Sequence, residues 1–486
     1  MRKLKKRDHT KVVLYAGATA LMALGSNTHA QSSVDALLNK LEQKGILTVD
    51  EAKELRAENQ QTATNDFNKA FNSKISMPDW ITGYKIYGDF RGRFDEQTTD
   101  NPGNKLTHLN TADQVRLRYR LRVGLLVSML DDLQAGFSLG SDNSSGNDLS
   151  NNTTLENNGT KKPVWIDTAY GKWTPINDGV LMLATTIGKM NQPFQVTPME
   201  FDPDYTPEGA ALQGTYKIND HHSVGFNTAA FVLDNVSSSS ANTVGSTRDP
   251  WLYGGQVIWN ANWTSRLASS MGFAAYNIVN KNGLGLPIGG STGIPGNPPN
   301  TSNYNPGGVA NNNQGNSRDA NGNLRYWYNP FVASASVTYS LDSFPLYKGK
   351  FPIKPGGEFM YNPGAPDNNE GYWVGVTLGK SGKKGMWDVS YRYQYLEADA
   401  WYDELVDDDN VAFYSNAGTL QPKTGWVGGT NIKGHLIRFN YSLTDALTFS
   451  FTAYINELIN PNQNIGTIGE PKSNALHAMA DLLWKF

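Results

Sequence analysis

Val115-Arg116-Leu117-Arg118-Tyr119-Arg120-Leu121-Arg122-Val123-Gly124-Leu125-Leu126-Val127-Ser128-Met129 decides the fold. Odd positions are apolar or aromatic throughout, while the even ones run Arg, Arg, Arg, Arg, Gly, Leu, Ser. Strand side chains alternate between faces, so this segment has one greasy face and one arginine ladder. Strands of soluble proteins usually run about five or six residues, and this alternation continues for fifteen. The chain's last residues agree: Leu476, Ala478, Ala480, Leu482, Trp484 and Phe486 share one face, with His477, Asp481 and Lys485 on the other.

Working outward, the same period gives about sixteen strands. They lie near 82–95, 112–130, 133–142, 162–174, 180–189, 208–218, 222–233 and 251–263, then near 265–279, 326–340, 351–361, 370–380, 385–397, 434–443, 446–456 and 474–486. Short connections such as Asp131-Asp132, Asn219–His221 and Thr444-Asp445 alternate with long polar ones, the longest being Asn280–Arg325. Short turns at one rim and long loops at the other mark a transmembrane antiparallel β-barrel. A closed sheet is also the only sheet that satisfies every backbone group in lipid.

Composition fits this class. The 486 residues include no cysteine, 48 glycines, 23 tyrosines and 12 tryptophans, with a mean hydropathy of -0.48. That excludes a thiolate metal site or cysteine nucleophile, and no apolar run past the N-terminus is long enough for a spanning helix. A barrel gives lipid only alternate residues, so bulk hydropathy stays low. Trp165, Tyr170, Trp173, Trp327, Trp373, Trp387, Tyr391, Tyr393 and Tyr395 lie in or beside strands, as interfacial girdles require. With 42 basic against 45 acidic residues, nothing argues for nucleic acid as a partner.

The first segments lie outside the barrel of 82–486. Residues 1–30 read as a signal peptide: Arg2, Lys3, Lys5, Lys6 and Arg7 precede a short apolar run from Val12 to Gly25, and Thr28-His29-Ala30 offers a cleavage site. Its removal takes away six basic residues and one acidic one, leaving 36 against 44. The stripe Val34, Leu37, Leu38, Leu41 and a capping box at Thr48–Glu51 predict helix over residues 31–61, a segment for self-association (a short coiled coil) or for packing elsewhere, the alternative being a loosely ordered extension. Residues 62–81 read as a linker.

Gly88-Asp89-Phe90-Arg91-Gly92-Arg93, the arginine strand, Gly188-Lys189-Met190-Asn191-Gln192-Pro193-Phe194 and Pro207-Glu208-Gly209, in this order behind a signal and a short helical segment, resemble the putative porin family of Gram-negative outer membranes. The resemblance implies a passive diffusion channel for small hydrophilic solutes and ions, no cofactor, and, by analogy with general porins, a trimer. The terminal pair Trp484 and Phe486 looks like the signal read by the barrel-assembly machinery. The length of Asn280–Arg325 and the helical segment depart from general porins.

In general porins the third long loop folds into the lumen, which here is Asn191–Pro207. It carries Glu200, Asp202, Asp204 and, at its end, Glu208. Arg91, Arg93, Arg116, Arg118, Arg120 and Arg122 take the polar face of the first two strands, with Arg91 and Arg93 expected at the level of Arg120 and Arg122. Acids opposing arginines across a narrow lumen set up a transverse field that tunes selectivity. The alternative pairs the arginines with Asp89 and Asp95 as lumen filling. Clustered carboxylates at Glu200, Asp202 and Asp204 also admit a calcium reading, against which stand the intervening prolines and the missing EF-hand pattern, so no metal is assigned. Asp407-Asp408-Asp409 reads as a solvated loop tip. A substrate-selective channel for anions such as phosphate, or for sugars, is the rival; it needs arginines without opposing acids, or a slide of lumen rings, for which only Tyr87 and Tyr454 have the right parity. The seven histidines lie beside no nucleophile motif, which argues against an enzyme, and a binding or adhesion barrel would use the 280–325 loop.

Overall fold

The computed structural model of the chain describes residues 78–100, 113–142, 149–235, 249–284, 314–319, 324–414, 425–461 and 474–486. The expected signal peptide, the helical segment, the linker up to residue 77 and most of the 280–325 loop lie outside them. The chain divides into two units, residues 1–83 and Tyr84–Phe486. Of the first, 78–83 are described, where Ile81 N donates to Pro78 O at 3.1 Å. The second is a barrel.

Its sixteen strands are β1 Ile81–Asp100, β2 Gln114–Met129, β3 Leu133–Ser141, β4 Val164–Asn177, β5 Leu181–Lys189, β6 Glu208–Lys217, β7 His222–Val232 and β8 Trp251–Asn262. They continue as β9 Leu267–Val279, β10 Phe331–Leu341, β11 Phe351–Tyr361, β12 Glu370–Gly379, β13 Trp387–Leu396, β14 Ile432–Ser442, β15 Leu447–Leu458 and β16 Asn474–Lys485. Each pairs with its neighbour in sequence, and β16 returns antiparallel to β1 from Asp89↔Lys485 to Asp100↔Asn474. Beyond that ladder Gly88 and Phe486 exchange two backbone hydrogen bonds, at 3.0 and 3.1 Å. The expected strands are thus all present, with ends within a few residues. Among the described residues no helix is long and apolar enough to cross a membrane.

The sheet is inside-out relative to a soluble protein. On β2, Leu117 is 54% exposed and Arg120 only 8%. Val115, Leu121, Val123 and Leu125 join Leu117 on the outer face, as do Phe90, Phe94, Leu482 and Trp484 on the adjoining strands. Register carries this parity around the barrel, so that Arg93 sits opposite Asp481, Glu358 opposite Trp373 and Gln394 opposite Trp373 from the other side. Two rings expected in the girdles are therefore inside. Trp373 faces the lumen under the Arg392 guanidinium, 4.0 Å from the ring centroid, and Tyr170 lies over Gly136, where a Cβ would strike its ring. Parity, not proximity to a strand, decides which aromatic meets lipid.

Short-rim turns are closed by their own side chains. Asp178 Oδ1 accepts from Val180 N and Leu181 N, Asn219 Oδ1 from His221 N and His222 N, and Thr444 Oγ1 from Ala446 N and Leu447 N. These are the local bonds that make Asx and Ser/Thr turns compact. The β2–β3 turn instead places Asp131 and Asp132 at φ 58° and 56°, a region that short polar side chains tolerate.

The long rim folds inward. The connection β5–β6 (residues 190–207, the third long loop, L3) and the connection β13–β14 (residues 397–431, the seventh, L7) supply the main buried apolar cluster: Phe194, Met199 and Phe201 from L3 and Trp401, Leu405 and Val406 from L7, against Phe231, Leu252, Tyr276 and Met360 on lumen-facing wall positions. At the root of L3, Gly188 and Gly209 are directly opposite each other at φ 121° and 152°, and a Cβ on Gly188 would run into the Ala169 carbonyl. Gly188→Val is expected to destabilise the barrel by several kcal/mol, since it combines strain with a backbone clash. The check is the temperature at which the folded band converts to the unfolded one on a semi-native gel.

Candidate functional site

The arginine ladder meets its acids at short range. Asp89 accepts from Arg120 Nε at 3.1 Å and Arg122 Nε at 2.9 Å. Six residues on, Asp95 accepts from Arg116 at 2.9 Å and Arg118 at 3.4 Å. Arg91 and Arg93 stand between Asp89 and Asp95 along β1, with Arg120 and Asp204 among the charges that act on Arg91. Arg93 holds Asp481 through two bonds, 2.8 and 3.0 Å, while Arg91 donates to Asn152 Oδ1 at 2.5 Å and lies 4.0 Å from Asp481. Guanidinium forks suit this role, because each can bridge two carboxylates without giving up its charge.

L3 spans from this wall to the opposite one. At its near end Asp204 pairs with Arg120 at 2.8 Å and with Arg122 at 3.5 Å. At its far end Gln195 N donates to Gln256 Oε1 on β8 at 2.8 Å and Thr197 Oγ1 to Glu358 Oε1 on β11 at 2.7 Å. Tyr276 of β9 donates to Glu200 Oε2 at 3.1 Å. Burial, and then the charge of adjoining Glu358, hold the Glu200 carboxyl well above the usual carboxylate range. Glu200 thus anchors L3 on Tyr276 of β9, away from the arginines.

Of the four L3-region acids, then, only Asp204 touches the ladder. Asp202 is buried, and burial together with Asp408 and Asp407 pushes its carboxyl up. Glu208 takes the parity opposite to lumen-side Gly209, Ala211 and Gln213 and pairs with Lys189 at 3.1 Å. Glu200, Asp202 and Asp204 point three ways, so they form no common ligand set. Among the described residues the carboxylates that do converge are Asp202, Asp407 and Asp408, with oxygens within 4.8 Å of one another.

L7 is the part that sequence reasoning missed. Asp407-Asp408-Asp409 is no solvated tip: it is folded inside the barrel. Asp409 takes two bonds from Arg93 at 2.8 and 3.1 Å, and its carbonyl lies 2.7 Å from His477 Nδ1. Asp407 accepts from Tyr454 OH at 2.7 Å, which uses one of the two rings expected from sequence to be open for a slide. Asn410 Oδ1 accepts from Gln394 at 2.6 Å and Asn456 at 2.9 Å. L7 also docks on L3, with Asp407 N to Pro198 O at 3.0 Å and Asp202 N to Leu405 O at 2.6 Å. The legible signal was Ala400-Trp401-Tyr402 and Leu405-Val406, an apolar content that a solvated loop does not need. Each of the six arginines thus meets an aspartate, drawn from the wall (Asp89, Asp95, Asp481), from L3 (Asp204) or from L7 (Asp409).

Among solved structures the chain is similar to a Pseudomonas putida OprB determined at high pH, at 11% identity over 86% of this chain and 97% of that one, with a TM-score of 0.47. It is also similar to a triple mutant of the Rhodopseudomonas blastica porin, at 8% identity over 83% of this chain and 100% of that one, with a TM-score of 0.37. No curated protein matches it. Residues 95–285, from the last third of β1 past the end of β9, match the family described as "Putative porin".

Proposed function

We propose that the barrel is a water-filled channel for passive diffusion of small polar solutes and ions, narrowed where L3 and L7 meet the arginine wall. One observation carries the reading: the wall's charge is compensated in place, by Asp204 from L3 and Asp409 from L7 as well as by acids of the wall itself. A strong anion filter needs arginines without such partners. A sugar slide needs rings open to the lumen, whereas Tyr454 is fully buried under L7. Compensated charge leaves a polar, weakly selective passage, in which ordered ions exclude apolar solutes and admit small hydrophilic ones. Export by residues 1–30, self-association as a trimer, and recognition of Trp484 and Phe486 by the assembly machinery belong to the same proposal. Both terminal rings are exposed on the barrel's outer face, where an assembly factor can reach them.

Charge reversal tests the placement. Arg120→Glu with Arg122→Glu puts two negative charges beside Asp89 and Asp204, and reversal potentials in planar bilayers are expected to move toward cations by severalfold. One unit charge at about 4 Å in water-like surroundings is worth about 1 kcal/mol, a factor of about five. Unchanged ion preference would remove both residues from the constriction.

A further inference from the structure

Asp408 follows Asp407 in L7. The backbone around it is clamped from both sides. L3 holds it through Asp202 Oδ2, which accepts from Asp408 N at 3.0 Å, and through Pro198 O, which accepts from Asp407 N at 3.0 Å. The wall holds its neighbours through Arg93, His477, Tyr454, Gln394 and Asn456. Asp407 is turned into the packing and Asp409 is bound to Arg93, while the Asp408 side chain stays exposed. It is therefore an acid on rigid support, inside the lumen, whose carboxylate is open to water and ions.

We infer that Asp408 is a selectivity-determining residue of the channel, setting how strongly the passage at the L3–L7 junction favours cations. This rests on the channel reading above. The charged groups that face it are Asp407 and Asp409 on its own loop, Asp202 and Asp204 on L3, and Arg118 on β2. Enclosure by protein, and then Asp409, Asp407 and Asp204, push its carboxyl up to about 7, with Arg118 pulling the other way. Below that value the group is neutral and the arginines slightly outweigh the acids they face. Above it one negative charge is added at the junction. Rising pH therefore moves the permeability ratio toward cations.

The measurement is the reversal potential of the purified protein in planar bilayers under a potassium chloride gradient, from about pH 5 to about pH 9. The wild type is expected to become two- to fivefold more cation-preferring across that range, a size typical of one exposed charge in water-like surroundings. Asp408→Asn should trace a flatter curve and remain less cation-preferring at the alkaline end. Asp408→Glu should restore the slope, which a merely structural role would not require. An Asp408→Asn channel that conducts and follows the wild-type curve overturns the assignment alone. A wild type that forms no channel overturns the channel reading and the assignment with it.

Discussion

Trp401→Ala will widen the channel and weaken the barrel together. Its indole is 1% exposed and meets Phe201 of L3 edge-on at 5.2 Å and Tyr276 of β9 at 4.9 Å. Its carbonyl accepts from Asn316 Nδ2 at 2.8 Å, tying L7 to the 280–330 connection. Truncating so large a buried aromatic costs about 3–5 kcal/mol. Here the loss falls on the joint between two loops rather than on the sheet, whose ladders are untouched. Both loops should loosen, and single-channel conductance should rise. The paired readouts are conductance and the heat-conversion temperature of the folded band, and an unchanged conductance with a normal band would contradict the placement of Trp401 at that joint.

Arg93→Met is the second large effect. Arg93 is buried and serves two carboxylates at once, Asp481 of β16 and Asp409 of L7. Breaking a buried ion pair from one side costs about 3–5 kcal/mol, because the opposite charge stays buried without a partner. The triple variant that adds Asp409→Asn and Asp481→Asn should regain much of the loss, since both sides of the interaction are then neutral. The pH dependence follows from the same geometry. Arg93 and His477 hold the Asp409 carboxyl well below the usual range. Its contribution to L7 docking is thus complete above the ordinary carboxylate value of about 4 and is lost as pH falls through the depressed one. In Arg93→Met that acid-side loss should shift to higher pH, as read from the conductance of single channels during acid titration.

The fold was legible because each strand repeats one simple rule. Alternation such as that of Arg116–Arg122 against Val115–Val123 reports on a single residue's two neighbours and needs no knowledge of distant contacts. The turns added local confirmation, since Asp178, Asn219 and Thr444 bond within three residues of themselves. The arginine wall was equally plain, and parity alone put its six members on one side. What parity could not give was where a long loop goes once it leaves the rim. Glu200 and Asp204 are four residues apart, yet one is anchored on Tyr276 of β9 and the other on Arg120 of β2. L7 was harder still, because Asp409 meets Arg93 across 316 residues of sequence. A run of three aspartates in a long polar loop looks solvated, and only the apolar Trp401, Leu405 and Val406 beside it argue for burial. Tyr170 and Trp373 were misplaced for a simpler reason: their parity was readable and outweighed by their chemistry.

The central claim is that this barrel conducts through a charge-compensated passage made by two inward loops on one arginine wall. Single-channel recording of the purified protein, with the cation-to-anion permeability ratio taken at neutral pH, tests it most directly. The account predicts steady ohmic openings with a ratio within about fivefold of unity, the effect of about one unbalanced charge. Absence of conductance, or a strongly anion-selective pore, would contradict it.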